Sequence, residues 1–322
     1  MTYSSGSLIV ATDYNGFAND TAGANVNGIW ATGTTDAGYG QSALGTVSAT
    51  NTITATQWAS LVNTISSIAS HQGTTITSRT APTAGNIINI LAALNTDLTN
   101  CTTNRGNAVA NGTQFTGWTG TNSNTAGKSG ASWSITFTNT VTFASANAAR
   151  YFFNAGGRIK IDVAKSSTGN TGDPEWNDLA TTLCGDIYIT GGTSTQTIAG
   201  SSYTGTTKTG GTGTPTTLAT TTGWYDLTAG AAATIVYKQF ADTAPYTANF
   251  IQHSLAKGAS SDTLVITTLW QNTDSDPITG GTASSGATPG TAPTTIVTYF
   301  PPSSTYLTTA AWGTPTVAAT TA

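Results

Sequence analysis

The carboxylates that stand close enough in sequence to act together are Asp173, Glu175 and Asp178, and Glu175 is the sole Glu of the chain. Glycoside hydrolysis uses a carboxylate pair, one group as acid and the other as base or nucleophile. A helix N-terminus, however, gathers Asp and Glu by capping and by its dipole alone. Asp173-Pro174 is a helix-start pair, with Asp suited to the N-cap and Pro to the first turn. Capping is therefore the reading adopted for this cluster. Asp274-Ser275-Asp276-Pro277 has the start of a calcium loop without the further ligands of an EF-hand, and reads as a polar turn. The two histidines, His71 and His253, have no partners at metal-ligand spacing. His253 falls in a strand candidate on the side of Ile251 and Leu255, which suits a core imidazole with a satisfied hydrogen bond better than a general base. His71 falls in the last turn of a helix, where the dipole favours it. Cys101 and Cys184 lie far apart and read as two buried free thiols. Gly38-Tyr39-Gly40 opens no helix with the third Gly of a dinucleotide fingerprint. The expectation is a chain that is not an enzyme and takes no cofactor and no metal.

The composition points the same way. Only 7% of the 322 residues are charged, with 10 Lys plus Arg against 14 Asp plus Glu, where an ordinary domain carries about 25%. The net charge is −4 and there is no basic run, so no nucleic-acid partner is expected. About a fifth of the residues are Thr. With 8 Trp, 11 Tyr and 9 Phe the chain is not disordered, and Thr, aromatics and Gly together favour β-structure. The Trp residues read mostly as core, since Trp is highly buried on average, although surface aromatics would suit glycan binding. No stretch approaches the apolar length of a membrane span, and Met1 to Gly16 does not have the form of a secretory signal.

Residues 1–112 are expected to form a helical attachment module. Thr54-Ala55-Thr56-Gln57 has the capping-box form. Trp58, Leu61, Val62, Ile65 and Ile68 then share one helix face, with Gly73 as the stop. Ile87, Ile90, Leu91, Leu94 and Leu98 mark a second helix, and Tyr14, Phe17 and Ala18 a weaker third that frays at Gly23 to Gly28. Trp58, Leu61, Ile65, Ile90 and Leu94 are the candidate core of this module. Residues 113–300 are expected to form an antiparallel β-sandwich, because the hydrophobic period changes to two. Trp133, Ile135 and Phe137 alternate with polar neighbours, as do Ile159, Ile161 and Val163, and Leu264, Ile266 and Trp270. Further strands are expected over 187–190, 235–239, 246–255 and 295–299. Two short helices interrupt them, one after Ser145 and one from Asp173-Pro174. Residues 191–222 read as a long mobile loop or irregular edge. Residues 301–322 read as an extended C-terminal arm whose Tyr306, Leu307 and Trp312 are candidate subunit contacts, with Tyr306 and Trp312 expected to bury against another subunit or against the sandwich. The fold class is thus mainly β with a small α module.

Several stretches resemble virion structural proteins of cyanophages and related marine phages. They are Ile9-Val10-Ala11-Thr12-Asp13-Tyr14-Asn15, Gly38-Tyr39-Gly40-Gln41, Ile53-Thr54-Ala55-Thr56-Gln57-Trp58 and His71-Gln72-Gly73. In the β region they are Val141-Thr142-Phe143-Ala144-Ser145, Ala149-Arg150-Tyr151-Phe152-Phe153-Asn154-Ala155-Gly156-Gly157 and Trp176. At the end they are Ser304-Thr305-Tyr306-Leu307 and Trp312-Gly313-Thr314-Pro315. Their order agrees with that family throughout; residues 191 to 230 match poorly, and the helical module is more Ala/Thr-rich here. The resemblance implies a non-enzymatic virion protein, a fibre-type appendage of tail or neck, with a head decoration protein and a host-glycan-binding module as alternatives. A glycan-cleaving spike would have to use Asp173, Glu175 or Asp178. The implied partners are further copies of the chain (a trimer, as fibres of this kind usually are), other virion proteins and a host surface glycan. The implied location is the surface of the particle, after assembly in the host bacterial cytoplasm.

Overall fold

The computed structural model describes residues 9–19, 24–86, 93–115, 123–125, 133–166, 173–273, 278–279, 282–283 and 293–321. Ile87, Ile90, Leu91, Trp118 and the turn 274–277 lie outside the described residues. The chain opens with four helices, α1 (Ala11–Asn19), α2 (Val26–Trp30), α3 (Ala55–Gln72) and α4 (Leu94–Thr103). The capping box forms at α3: Thr54 Oγ1 accepts from Gln57 N at 3.3 Å, and Gln57 Oε1 accepts from Thr54 N at 2.7 Å. Gly73, at φ 72°, ends the helix in the left-handed conformation that a Cβ disfavours. Trp58, Leu61, Val62, Ile65 and Ile68 are all buried along one face. Tyr14 of α1 meets the Trp58 ring edge-on at 5.5 Å, and Leu94, Leu98 and Cys101 of α4 lie in the same core. Of the stretch expected to fray, Val26 to Gly28 form the start of α2, and Gly23 lies outside the described residues. Asn25 caps the helix by accepting from Gly28 N at 2.7 Å, and Val26 and Ile29 bury beneath it.

The rest of the chain is mainly antiparallel sheet. Its strands are β1 (Ser123–Thr125), β2 (Trp133–Thr142), β3 (Arg158–Ala164), β4 (Asp186–Ile189), β5 (Gln196–Ile198), β6 (Ser201–Tyr203), β7 (Thr206–Thr209), β8 (Thr217–Leu218), β9 (Thr234–Phe240), β10 (Phe250–Lys257), β11 (Thr263–Asn272), β12 (Ile278–Thr279), β13 (Thr282–Ala283), β14 (Thr294–Phe300) and β15 (Thr316–Thr321). A six-stranded sheet runs β15-β2-β11-β10-β9-β8, and a five-stranded sheet runs β1-β14-β3-β4-β7; β5-β6 and β12-β13 form two small ladders. Period-two burial holds along β2, β3 and β11, which gives each large sheet one apolar face. The two sheets form a sandwich-like pair that shares one core: Trp270 of β11 reaches Thr295 of β14 at 3.5 Å, and Val297, Ile159 and Ile266 belong to the same buried cluster.

Two helices interrupt the strands. α5 (Ala146–Asn154) is capped by Ser145, whose Oγ accepts from Ala148 N at 3.1 Å. α6 (Asp173–Asp178) continues as a π-helical turn through Leu179–Cys184. Trp176 of α6 packs against Trp133 at 4.8 Å and Trp270 at 5.7 Å. The same aromatic layer continues at Phe143, Phe152, Phe153, Trp224 and Tyr299. Trp thus serves the core, as its average burial suggests.

Of the two readings of residues 191–222, the irregular edge holds and the loose loop does not. They supply β5 and β6 and the edge strands β7 and β8 of the two large sheets, and several of their buried positions are polar. Thr206 is fully buried and donates to Thr222 O at 2.8 Å; Gln196 donates to Gly106 O at 3.1 Å. Thr is β-branched and enters strands readily, but its hydroxyl hides the apolar alternation that a sequence reading relies on. The C-terminal segment likewise folds back onto the chain. Leu307 and Trp312 are buried in the chain's own core, and β15 pairs with β2 along the edge of the six-stranded sheet. Of the two places expected for Trp312, another subunit or the sandwich of its own chain, it is buried within its own chain, and Leu307 is buried with it. Tyr306 is the one of the three at the surface, at 41% exposure.

A tight joint fixes the helical segment on the sandwich. Arg150 donates to Ala37 O at 2.8 Å and Asn154 to Gly38 O at 2.9 Å. Gly40 lies so close to Tyr151 that a Cβ there would sit 2.3 Å from the ring. His71 Nε2 lies 3.1 Å from Ala155 O, and Thr308 N donates to Gln41 Oε1 at 2.8 Å.

Asn139 breaks the apolar face of β2. It is fully buried between Ile266 of β11 and Ala319 of β15, and neither atom of its amide has a hydrogen-bond partner among the described residues. A buried amide without partners costs about 1–3 kcal/mol. Asn139→Leu, which keeps the branching at Cγ and removes both polar atoms, should raise the free energy of unfolding by about 1–2 kcal/mol in urea titration.

Candidate functional site

The residue types that most often perform catalysis are held in the core. His253 of β10 is buried, with Nδ1 3.0 Å from Thr268 Oγ1 and its ring stacked on Tyr237. His71 is buried against Ala155 O and the Tyr39 ring. Neither imidazole is hydrogen-bonded to a carboxylate among the described residues, so neither has the orienting partner of a triad base. Burial pushes His71 down to about 4 and His253 down to about 3. Both thiols are free and buried. Burial holds Cys101 and Cys184 up at about 12, out of the thiolate range a nucleophile needs.

The two histidines give the fold a pH dependence of definite sign. The unfolded chain protonates its imidazoles as the pH falls through about 6.5. The folded chain protonates His71 only near 4 and His253 only near 3. Stability is therefore lost as the pH falls below about 6.5, by up to about 1.4 kcal/mol per pH unit for each histidine. The carboxyls of Glu175 and Asp162, raised first of all by burial, act in the opposite sense and offset part of that slope. Urea midpoints should fall from pH 7 to pH 5. In the folded protein the ring-proton NMR shifts of both histidines should stay flat from pH 8 to pH 5.

Among the described residues, four basic side chains lie over ring faces and three beside carboxylates. Arg158 is 2% exposed, 4.6 Å from the Tyr203 ring and near Tyr188 and Phe300, and burial lowers its pKa. Lys238 stands 3.7 Å from the Phe250 ring, Lys257 4.6 Å from Trp224 and Arg150 4.7 Å from Tyr151. Cation–π contact lets a chain with few acids hold these charges partly desolvated.

Two clefts flank the Asp36–Arg105 ion pair, whose Oδ2 and Nη2 atoms are 2.5 Å apart. One, of about 620 Å³, is bounded by Asn25, Asn27, Thr32 and Thr102. The other, of about 410 Å³, is bounded by Asn107, Ser194, Gln196, Tyr225 and Asp226. The Tyr225 hydroxyl donates to Asn154 Oδ1, and burial raises its pKa, so the phenol stays neutral. Amides, hydroxyls and one ion pair stand among apolar groups such as Ala24, Ile29 and Ala31, a mixed lining able to hydrogen-bond a polyhydroxylated ligand and cover its apolar faces. The sequence reading missed these clefts because their walls are assembled from separate parts of the chain, the first from within the helical segment and the second from the helical and β segments together.

Of the acidic cluster, Glu175 and Asp178 do come together, and Asp242 joins them from the turn after β9. The side chain of Asp173 lies outside the described residues. Asp242 carries no motif in the sequence, and only the fold brings it to α6. Comparison of the chain with protein-family models, with curated proteins and with solved structures finds no match.

Proposed function

We propose that the chain is a non-enzymatic structural protein of a bacteriophage virion, a fibre-type appendage of the tail or neck that assembles as a homo-oligomer. The observation that carries this reading is the joint between the helical segment and the sandwich. Three of the stretches that resemble phage virion proteins meet there, and Thr308, the residue after a fourth, joins them. Gly38-Tyr39-Gly40-Gln41 packs on Arg150, Tyr151 and Asn154; His71 meets Ala155; Gln41 clasps Thr308, next to Leu307. Segments dispersed along a chain that share one resemblance and meet in space support a scaffold held in common with that family. The burial of both histidines and both thiols supports a structural role in the same direction. A particle assembled in the reducing cytoplasm would keep Cys101 and Cys184 as thiols.

Mass spectrometry and cryo-EM of purified particles test the reading. The expected result is a low copy number in multiples of three at the tail or neck. A copy number equal to that of the capsid lattice would make it a head decoration protein, and absence from the particle would end the proposal. The polar clefts beside Asp36 and Arg105 favour one further role, contact with a host surface glycan. A glycan array with wild-type and Arg105→Ala protein tests it: binding by the first and not by the second is expected, and an empty array overturns it.

A further inference from the structure

Glu175 and Asp178 project from α6, and Asp242 approaches from the turn that follows β9; one carboxylate oxygen of each lies within 4.8 Å of the others. The three are not an ordinary ion-paired surface group. The ion pairs among the described residues are Arg79–Asp97, Arg105–Asp36 and Lys160 with Asp162 and Asp186, and none includes these three. Glu175 is also 9% exposed, and its Oε1 is buried with no hydrogen-bond partner. The carboxylate that holds this oxygen is the one turned towards Asp178 and Asp242. Its one hydrogen-bonding neighbour is Thr243, beside Asp242. A carboxylate with one buried oxygen left without a partner, standing beside two further carboxylates, is costly unless a cation completes it.

We propose that Glu175, Asp178 and Asp242 form a binding site for a divalent cation, with calcium as the ion it takes. The donors are all oxygen, which selects hard cations over zinc, copper or iron. The number of carboxylates selects within that class. Magnesium demands octahedral geometry, keeps several waters and is held through one or two carboxylates, whereas calcium takes about six to eight oxygens in flexible geometry. Three carboxylates with oxygens within 4.8 Å of one another suit calcium. Desolvation of Glu175, with repulsion from Asp178 and Asp242, holds its carboxyl above the ordinary range, and a bound cation would reverse that shift. The ion would tie α6, which carries the buried Trp176, to the β9–β10 turn.

Isothermal titration of the chelator-treated full chain with CaCl2, and separately with MgCl2, tests the site, with thermal unfolding in the same buffers. Calcium binding with a dissociation constant of about 10⁻⁴–10⁻³ M is expected, as in shallow extracellular sites, together with a rise in unfolding temperature. Asp242→Asn, a change at an exposed position that leaves the fold intact, should weaken binding at least about tenfold. Glu175→Gln should abolish it and leave the calcium-free protein at least as stable as wild type. Calcium giving neither heat nor a thermal shift at 10 mM overturns the proposal. So does binding that persists unchanged in Asp242→Asn, and magnesium binding tighter than calcium overturns the assignment of the ion.

Discussion

Trp58→Ala should lower the free energy of unfolding by about 3–5 kcal/mol, read from urea or thermal denaturation. The indole is fully buried on α3, meets Tyr14 at 5.5 Å and Phe17 at 6.5 Å, and joins α1 to the longest helix of the module. Its removal leaves a cavity whose walls are the faces of two helices, and helices this short have little stability apart from their packing. α1 is nine residues long and carries Tyr14 and Phe17 as its large buried side chains. The loss should therefore include loosening of α1, seen as faster amide exchange at Tyr14 and Phe17 than at the β2–β11 ladder. A change below about 1 kcal/mol would mean that α1 is held by something other than the Trp58 contact.

That prediction rests on a feature legible in the sequence. The Thr54–Gln57 box, the apolar face from Trp58 to Ile68 and the Gly73 stop are local signals, and α3 forms between those limits. The alternations at Trp133, Ile159 and Leu264 are equally local, and each marks a real strand. Where the apolar signal is replaced by hydroxyls, the sequence is silent. Thr206, buried with its hydroxyl donating to Thr222 O, looks no different on paper from an exposed threonine. Strand pairing is less legible still, since β2 is flanked by β11 and β15, both distant in sequence. The same limit applies to sites. Asp173, Glu175 and Asp178 stand out by proximity, and capping explains them until the fold brings up Asp242 from an unrelated turn. The clefts beside Asp36 and Arg105 arise from loops whose composition is that of the whole surface.

Deletion of residues 303–322 should abolish cooperative folding of the single chain, an effect larger than any one substitution. The deletion removes two fully buried side chains, Leu307 and Trp312, of which Trp312→Ala alone should cost about 3–5 kcal/mol. It also removes the hydrogen bonds by which Thr308 closes on Gln41. Loss of β15 bares the outer edge of β2, a ten-residue strand whose unpaired backbone would then template aggregation. The truncated protein should accumulate as insoluble material or unfold without a sharp transition, whatever its assembly state. Tyr306 separates this effect from assembly. Its side chain is exposed, so Tyr306→Ser should keep the wild-type midpoint within about 0.5 kcal/mol. If the tyrosine is a subunit contact, that variant should still dissociate at higher protein concentration than wild type in light scattering. An unchanged assembly would assign the C-terminal segment wholly to the stability of its own chain, and the oligomer contact of the proposed virion subunit would then lie on another face.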